Sequence, residues 1–204
     1  MSYDAEFFEA VDFSREMGLD CPPWIVSLQE ALRNGEDATS NPVIGDREEI
    51  ALRGLLLDAA GHQPDPKILS RKCLEVHWRP ADKVEAIVGV PPVLTIGDMT
   101  VRGVRICRFS REEALKDVRR TVLGSTVHKV HAWLTLPSLE IVDFTFMATY
   151  MDENPYARER ARKSGEGPGV ISRHWRDLSG LEYHPVALGL NVLERLNFLR
   201  PQPR

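Results

Sequence analysis

Apolar residues recur at helical spacing through the first sixty positions. Phe7, Phe8 and Val11 mark a helix over 3–17 that closes at Gly18; Trp24, Leu28, Ala31 and Leu32 mark a second over 23–33, opened by Pro22-Pro23 and closed by Asn34-Gly35. A third is predicted from Asp46, whose spacing to Glu49 matches a capping box, with Ile50, Leu52, Leu55, Leu56 and Ala59 apolar up to Gly61. The intervening run from Glu36 to Pro42 is polar and made of turn formers, so it reads as a loop and as the place for any domain boundary.

After a linker from Gly61 to Pro66, a short helical stretch carries Cys73 and must bend or stop near Pro80, which has no N–H to donate; helix resumes over 81–88. The period then changes. Val93-Leu94-Thr95-Ile96 and Val101 to Phe109 read as strands about the turn formers Gly97-Asp98. Ser110 with Glu113 is a further capping box, opening a helix to about Arg120. His128 to Thr135 and Glu140 to Phe146 read as two strands of a hairpin turning through Leu136-Pro137-Ser138-Leu139. A charged helix from Pro155 to Lys163, a flexible loop from Ser164 to Gly169 and a last helix from Pro185 to Leu199 complete the chain. The expected class is α+β, a helical N-terminal part packed on a small antiparallel sheet. It forms one domain over 1–204, with a helical part at 1–62, a core at 63–150 and a helical extension at 151–204.

Composition narrows the function classes. The 204 residues carry 26 Lys and Arg against 30 Asp and Glu, and a net charge of −4 argues against a general polyanion binder, so nucleic acid is not an expected partner. No run approaches the roughly 20 apolar residues of a bilayer span, and no membrane partner is expected. The start Met1-Ser2-Tyr3-Asp4-Ala5-Glu6 lacks a basic segment leading into an apolar one, so a cytoplasmic protein is expected. Three scattered cysteines, Cys21, Cys73 and Cys107, make neither a disulfide framework nor a zinc site. No metal or cofactor is expected.

The hairpin holds the most specific chemistry. On strands, His131, Trp133 and Thr135 share one face and Val130, Ala132 and Leu134 the other; Ile141, Asp143 and Thr145 separate likewise from Val142, Phe144 and Phe146. A three-residue turn centred on Pro137 would put His131 opposite Asp143 with Cβ atoms about 5 Å apart. A carboxylate on one imidazole nitrogen fixes the tautomer and leaves the other nitrogen to act as a base. Cys73 is the matching nucleophile: with Ser70 as cap it takes the third helical position, where the dipole favours thiolate.

Taken in order, Cys73, Gly89-Val90-Pro91, the strand ending Thr95-Ile96-Gly97, His131-Ala132-Trp133 and Asp143-Phe144-Thr145 resemble the transglutaminase-like branch of the papain-like cysteine-enzyme superfamily. The resemblance covers about residues 70–147. It implies a papain/transglutaminase-like core in which Cys73 is nucleophile, His131 general base and Asp143 its orienter, with Trp133 in the substrate site. The implied activity is cysteine-dependent amide or acyl hydrolysis or transfer, by a protease, deamidase or transglutaminase-like enzyme, on a peptide, a protein or a small amide. The alternative reading is an inactive member of the same fold that binds a peptide or protein, favoured by the helix break at Pro80.

Lesser candidates complete the reading. Cys107 lies in a strand without a helix N-terminus to activate it. His128 and His131, three apart on a strand, point to opposite faces and do not form a metal pair. Arg158, Arg160, Arg162 and Lys163 form a basic patch that reads as a solvated helix end, and Gly165 to Gly169 lacks the Lys-Ser/Thr ending of a phosphate loop. His174, Trp175, Tyr183 and His184 could line a cleft or cover the edge of a core.

Overall fold

The computed structural model describes residues 2–36, 41–60, 66–118, 130–164 and 169–196. In chain order its elements are α1 (Tyr3–Glu16), α2 (Trp24–Arg33), α3 (Asp46–Ala60), α4 (Pro66–Ser70), α5 (Cys73–Trp78), α6 (Ala81–Val88), β1 (Val93–Val101), β2 (Val104–Ile106), α7 (Arg111–Val118), β3 (His131–Thr135), β4 (Glu140–Asp143), α8 (Phe146–Glu153), α9 (Pro155–Ser164), β5 (Ile171–His174), β6 (Leu181–Leu188) and α10 (Val192–Arg195). Helices and antiparallel strands make this an α+β fold. No helix among the described residues is long and apolar enough to cross a membrane. His128, the end of the helix expected to reach Arg120, the loop at 165–168 and everything beyond 196 lie outside the described residues.

The chain forms two compact units, one of Met1–Ala38, Val93–Ala132 and Ser179–Arg204, the other of Thr39–Pro92 and Trp133–Leu178; β3 starts in the first and continues in the second.

In the first unit β1 pairs antiparallel with β2 on one side and β6 on the other. Gly97-Asp98, expected as a turn, lies inside β1; the chain reverses instead at Arg102-Gly103, where both residues have positive φ (49° and 77°) between the paired Val101 and Val104. The expected C-terminal helix from Pro185 is also corrected: β6 runs to Leu188, and among the described residues after it helix appears only over α10. An apolar run such as Val186-Ala187-Leu188 suits either element, and pairing with β1 decides it. Pro185 is tolerated because it faces Gly97 where the register slips, between Ile96 and Gly97. α1 packs on β6, and Ser14 ties the two: its Oγ donates to the Ala10 carbonyl (2.6 Å) and accepts the Leu188 N–H (2.9 Å). Phe7, Val11, Ile25, Ile96, Met99 and Leu188 form a fully buried core, with Phe7 stacked on Trp24. The capping box that opens α7 is formed reciprocally: Ser110 N–H donates to Glu113 Oε2 (2.8 Å) and Glu113 N–H to Ser110 Oγ (3.3 Å).

In the second unit β4 pairs with β3 and with β5, a strand the periodicity did not reveal. Leu134 faces Val142 and Thr135 faces Ile141. Leu136 N–H donates to the Glu140 carbonyl (3.0 Å) and Leu139 N–H to the Leu136 carbonyl (2.8 Å), so the loop is Pro137-Ser138-Leu139 with Leu139 at positive φ (59°). Pro137 takes the second position of a tight turn, which its ring pre-sets, rather than the centre of the loop. Every residue of β3 and β4 is buried, so both faces of the hairpin are covered. The strand expected to reach Phe146 ends at Asp143, and α8 begins at Phe146. α3 starts at Asp46, its cap one residue earlier than the spacing suggested: Gly45 N–H donates to Glu48 Oε2 (3.0 Å). The interruption at Pro80 occurs as expected, between α5 and α6.

Candidate functional site

A hairpin whose loop centre moves by one residue changes its cross-strand partners by two. The pairs Leu134–Val142 and Thr135–Ile141 set a register that, continued by one step, aligns position 133 rather than 131 with 143, which corrects the expected pairing. Trp133 is fully buried. His131, also buried, belongs to the first unit, its ring 6.2 Å from that of Tyr183.

Asp143 and Cys73 belong to the second unit, where a residue not among the sequence candidates lies close to both. His77 Nδ1 donates to the Cys73 carbonyl (2.6 Å), the turn below it on α5, while Nε2 accepts the Phe144 N–H (2.9 Å) and lies 3.3 Å from Asp143 Oδ1. A carbonyl can only accept and an amide can only donate, so these bonds select the Nδ1–H tautomer. Asp143 Oδ1 also accepts from Thr145 N–H (2.8 Å), Phe146 N–H (2.9 Å) and Thr145 Oγ1 (3.3 Å), satisfying amide groups at the start of α8. Cys73 is buried and is the first residue of α5, not the third; Lys72 precedes it as cap. Ser70 instead ends α4, donating to the Lys67 carbonyl (3.2 Å) and Asp152 Oδ2 (3.0 Å). The spacing of four between Cys73 and His77 on a helical run was the signal available for this contact.

Beside this array the second unit has a cleft of about 250 Å³, lined in part by Lys72, Glu75, Arg79 and Lys83 but not by Cys73. On α9, Arg158 donates to the Met151 and Asp152 carbonyls (3.1 and 3.0 Å), and Arg162 pairs with Glu159 (2.9 Å). Arg162 and Lys163 hold the Glu159 carboxyl below its ordinary range, chiefly through the hydrogen bond from Arg162.

The first unit holds a second carboxylate–imidazole pair in a different setting. β1, β2 and β6 place Asp98, Thr100, Arg105 and His184 on one face, with His184 opposite Asp98 and Arg105 opposite Thr100. His184 Nδ1 lies 2.9 Å from Glu6 Oε2 of α1, and Nε2 lies 2.8 Å from Thr100 Oγ1. The carboxylate can only accept, so Nδ1 carries the proton; in the neutral ring Nε2 then accepts from the Thr100 hydroxyl. The exposed Glu182 carboxylate is farther, 3.9 Å from Nε2.

Buried Asp98 receives Nε (2.9 Å) and Nη2 of Arg105 on the same oxygen, Oδ2, while Oδ1 has no hydrogen-bond partner among the described residues. This hydrogen bond raises the pKa of Arg105, against an opposing effect of desolvation. Arg111 Nη2 donates to Glu9 (2.9 Å), and its guanidinium lies 5.6 Å from the centre of the Phe13 ring. Glu6, Glu9, Thr100, Arg105, Arg111 and His184, with Pro185 and Val186 as an apolar wall, line a pocket of about 460 Å³. Of these residues only His184 was marked by the sequence. Glu6 and Thr100 lie 178 and 84 positions from it, and no local pattern joins them.

No protein-family model, curated protein or solved structure matches this chain.

Proposed function

We propose that the pocket of the first unit takes a small ligand or peptide end bearing a carboxylate, and that Cys73 is not an acyl-transfer nucleophile. The observation that carries this reading is the contrast between two carboxylate–imidazole pairs. Asp143 and His77 are both fully buried and bonded to backbone groups, the setting of a structural polar network. Glu6 and His184 are partly exposed and line a pocket of a size usual for small-molecule sites. Arg105 and Arg111 offer hydrogen-bond donors to a ligand carboxylate, since each guanidinium carries more N–H groups than its bonds to Asp98 and Glu9 consume.

Succinate titration followed by amide and imidazole NMR tests the pocket. Saturable shifts at Thr100 and His184, weakened by Arg111→Gln, are expected; shifts absent or unchanged by that substitution overturn the assignment. Site-resolved alkylation by iodoacetamide from pH 5 to 9 tests the thiol. Cys73 is expected to react more slowly than the same cysteine in urea throughout, and fast alkylation below pH 7 that His131→Ala abolishes would restore the thiol-enzyme reading.

A further inference from the structure

Resting on the reading of that pocket as a ligand site, we infer that it is also catalytic: Thr100, His184 and Glu6 form a hydroxyl–imidazole–carboxylate relay that hydrolyses carboxylic esters whose acyl chain bears a second carboxylate. The geometry meets the requirement for an activated nucleophile: hydroxyl and base lie within hydrogen-bond reach (2.8 Å), and a third group orients the base (2.9 Å). Three separate elements, β1, β6 and α1, supply the three side chains, and β1 and β6 are hydrogen-bonded neighbours, so the relay stands on paired backbone rather than on a loop.

The step balances. Thr100 Oγ1 bonds to the ester carbonyl carbon while its proton passes to His184 Nε2. The bond from that carbon to the alcohol oxygen breaks, and the alcohol leaves with the proton from Nε2. Water then attacks acyl-Thr100, giving one proton to Nε2, from which it returns to Oγ1 as the acid is released. Glu6 is a positioning residue: it holds Nδ1–H and stabilises the imidazolium that forms in each half. Arg105 and Arg111, which line the same pocket, provide N–H donors for the acyl carboxylate and for the charge developing on the carbonyl oxygen. Pro185 and Val186 supply the apolar surface for the intervening methylenes.

The test uses the full chain with a fluorophosphonate, which transfers its phosphorus to an activated hydroxyl, and with the mono-4-nitrophenyl ester of succinic acid. Peptide mass spectrometry should find the phosphonate on Thr100 in the wild type and in Thr100→Ser, and on neither Thr100→Val nor His184→Gln. Ester turnover should fall by about 10²- to 10⁴-fold in His184→Gln. In Glu6→Gln kcat should fall with KM little changed, and Glu6→Asp should recover part of it, a split that a merely structural role would not produce. The succinyl ester should exceed 4-nitrophenyl acetate by about tenfold or more in kcat/KM, a preference that Arg111→Gln removes. An unlabelled Thr100 in both wild type and Thr100→Ser overturns the catalytic inference. If succinate still shifts the His184 and Thr100 resonances in that case, the binding assignment survives; if it does not, both fail.

Discussion

His77 Nε2 lies 3.3 Å from Asp143 Oδ1 with both side chains fully buried, and the same nitrogen accepts the Phe144 N–H. One imidazole thus joins α5 to the segment that starts α8, because its other nitrogen donates to the Cys73 carbonyl. His77→Ala removes both bonds and leaves a cavity in a buried region. It should cost about 2–4 kcal/mol in urea unfolding. Equal midpoints for variant and wild type would show that water or rearrangement replaces the imidazole.

The carboxylate of Asp143 is the acceptor for the first amides of α8. Asp143→Ala should cost about 1–3 kcal/mol. Asp143→Asn retains a carbonyl oxygen for the Thr145 and Phe146 N–H groups and should lose less. Urea denaturation of both variants checks the order; a reversed order would show that the charge on Asp143 matters more than its acceptor geometry.

Glu140 makes a comparable clamp in the same unit. Nearly inaccessible, it accepts from Val43 N–H (2.6 Å), Ile44 N–H (3.1 Å) and Ser138 Oγ (2.6 Å), fixing the segment before α3 against the hairpin loop. Glu140→Ala strands two backbone donors and should cost about 2–4 kcal/mol. Hydrogen exchange at Val43 and Ile44 should rise in the variant before global unfolding does, and unchanged exchange there would refute the clamp.

Helices were legible wherever one face alternates with solvent, as in α1, α2 and α3, because the 3.6-residue period survives in the sequence. The strands were harder. β3 and β4 are covered on both faces, so alternation carried no information about which side holds a site. Gly97 and Asp98 are turn formers in composition but strand residues in fact, placed by a bulge opposite Pro185. The position of Pro137 within its turn decided whether His131 or Trp133 meets Asp143, a choice that spacing alone left undetermined. The pocket of Glu6, Thr100 and His184 depends on three distant segments, so only His184 could be noticed in advance.

Cys21 is half-buried, and burial pushes its thiol up; Asp20 adds to the effect while Arg15 opposes it. Alkylation of Cys21 should therefore lag behind an unfolded thiol of pKa about 8.5 at every pH below its own midpoint. A raised folded pKa contributes stability that is fully present below the unfolded thiol's pKa and is lost as pH rises through the folded value. Cys21→Ser should flatten the alkaline decline of the urea midpoint relative to wild type, and an unchanged decline would show that Cys21 is not its source.

The reversal between β1 and β2 offers a stabilising change. Arg102 has φ of 49° and Gly103 of 77°, the pair of positive angles that a two-residue hairpin of the primed type requires. Gly103 meets this without strain, but the Cβ of Arg102 pays a steric penalty that asparagine, with its local hydrogen bonding, tolerates better. The Arg102 side chain is exposed and the bond holding the turn comes from its backbone, whose N–H donates to the Gly180 carbonyl (2.8 Å), so the substitution leaves that contact intact. Arg102→Asn should raise stability by about 0.5–1 kcal/mol without moving the β1–β2 register. A lower urea midpoint would mean that the arginine stem stabilises the fold by packing along Gly180, whose added Cβ would lie 3.7 Å from Arg102 Cγ.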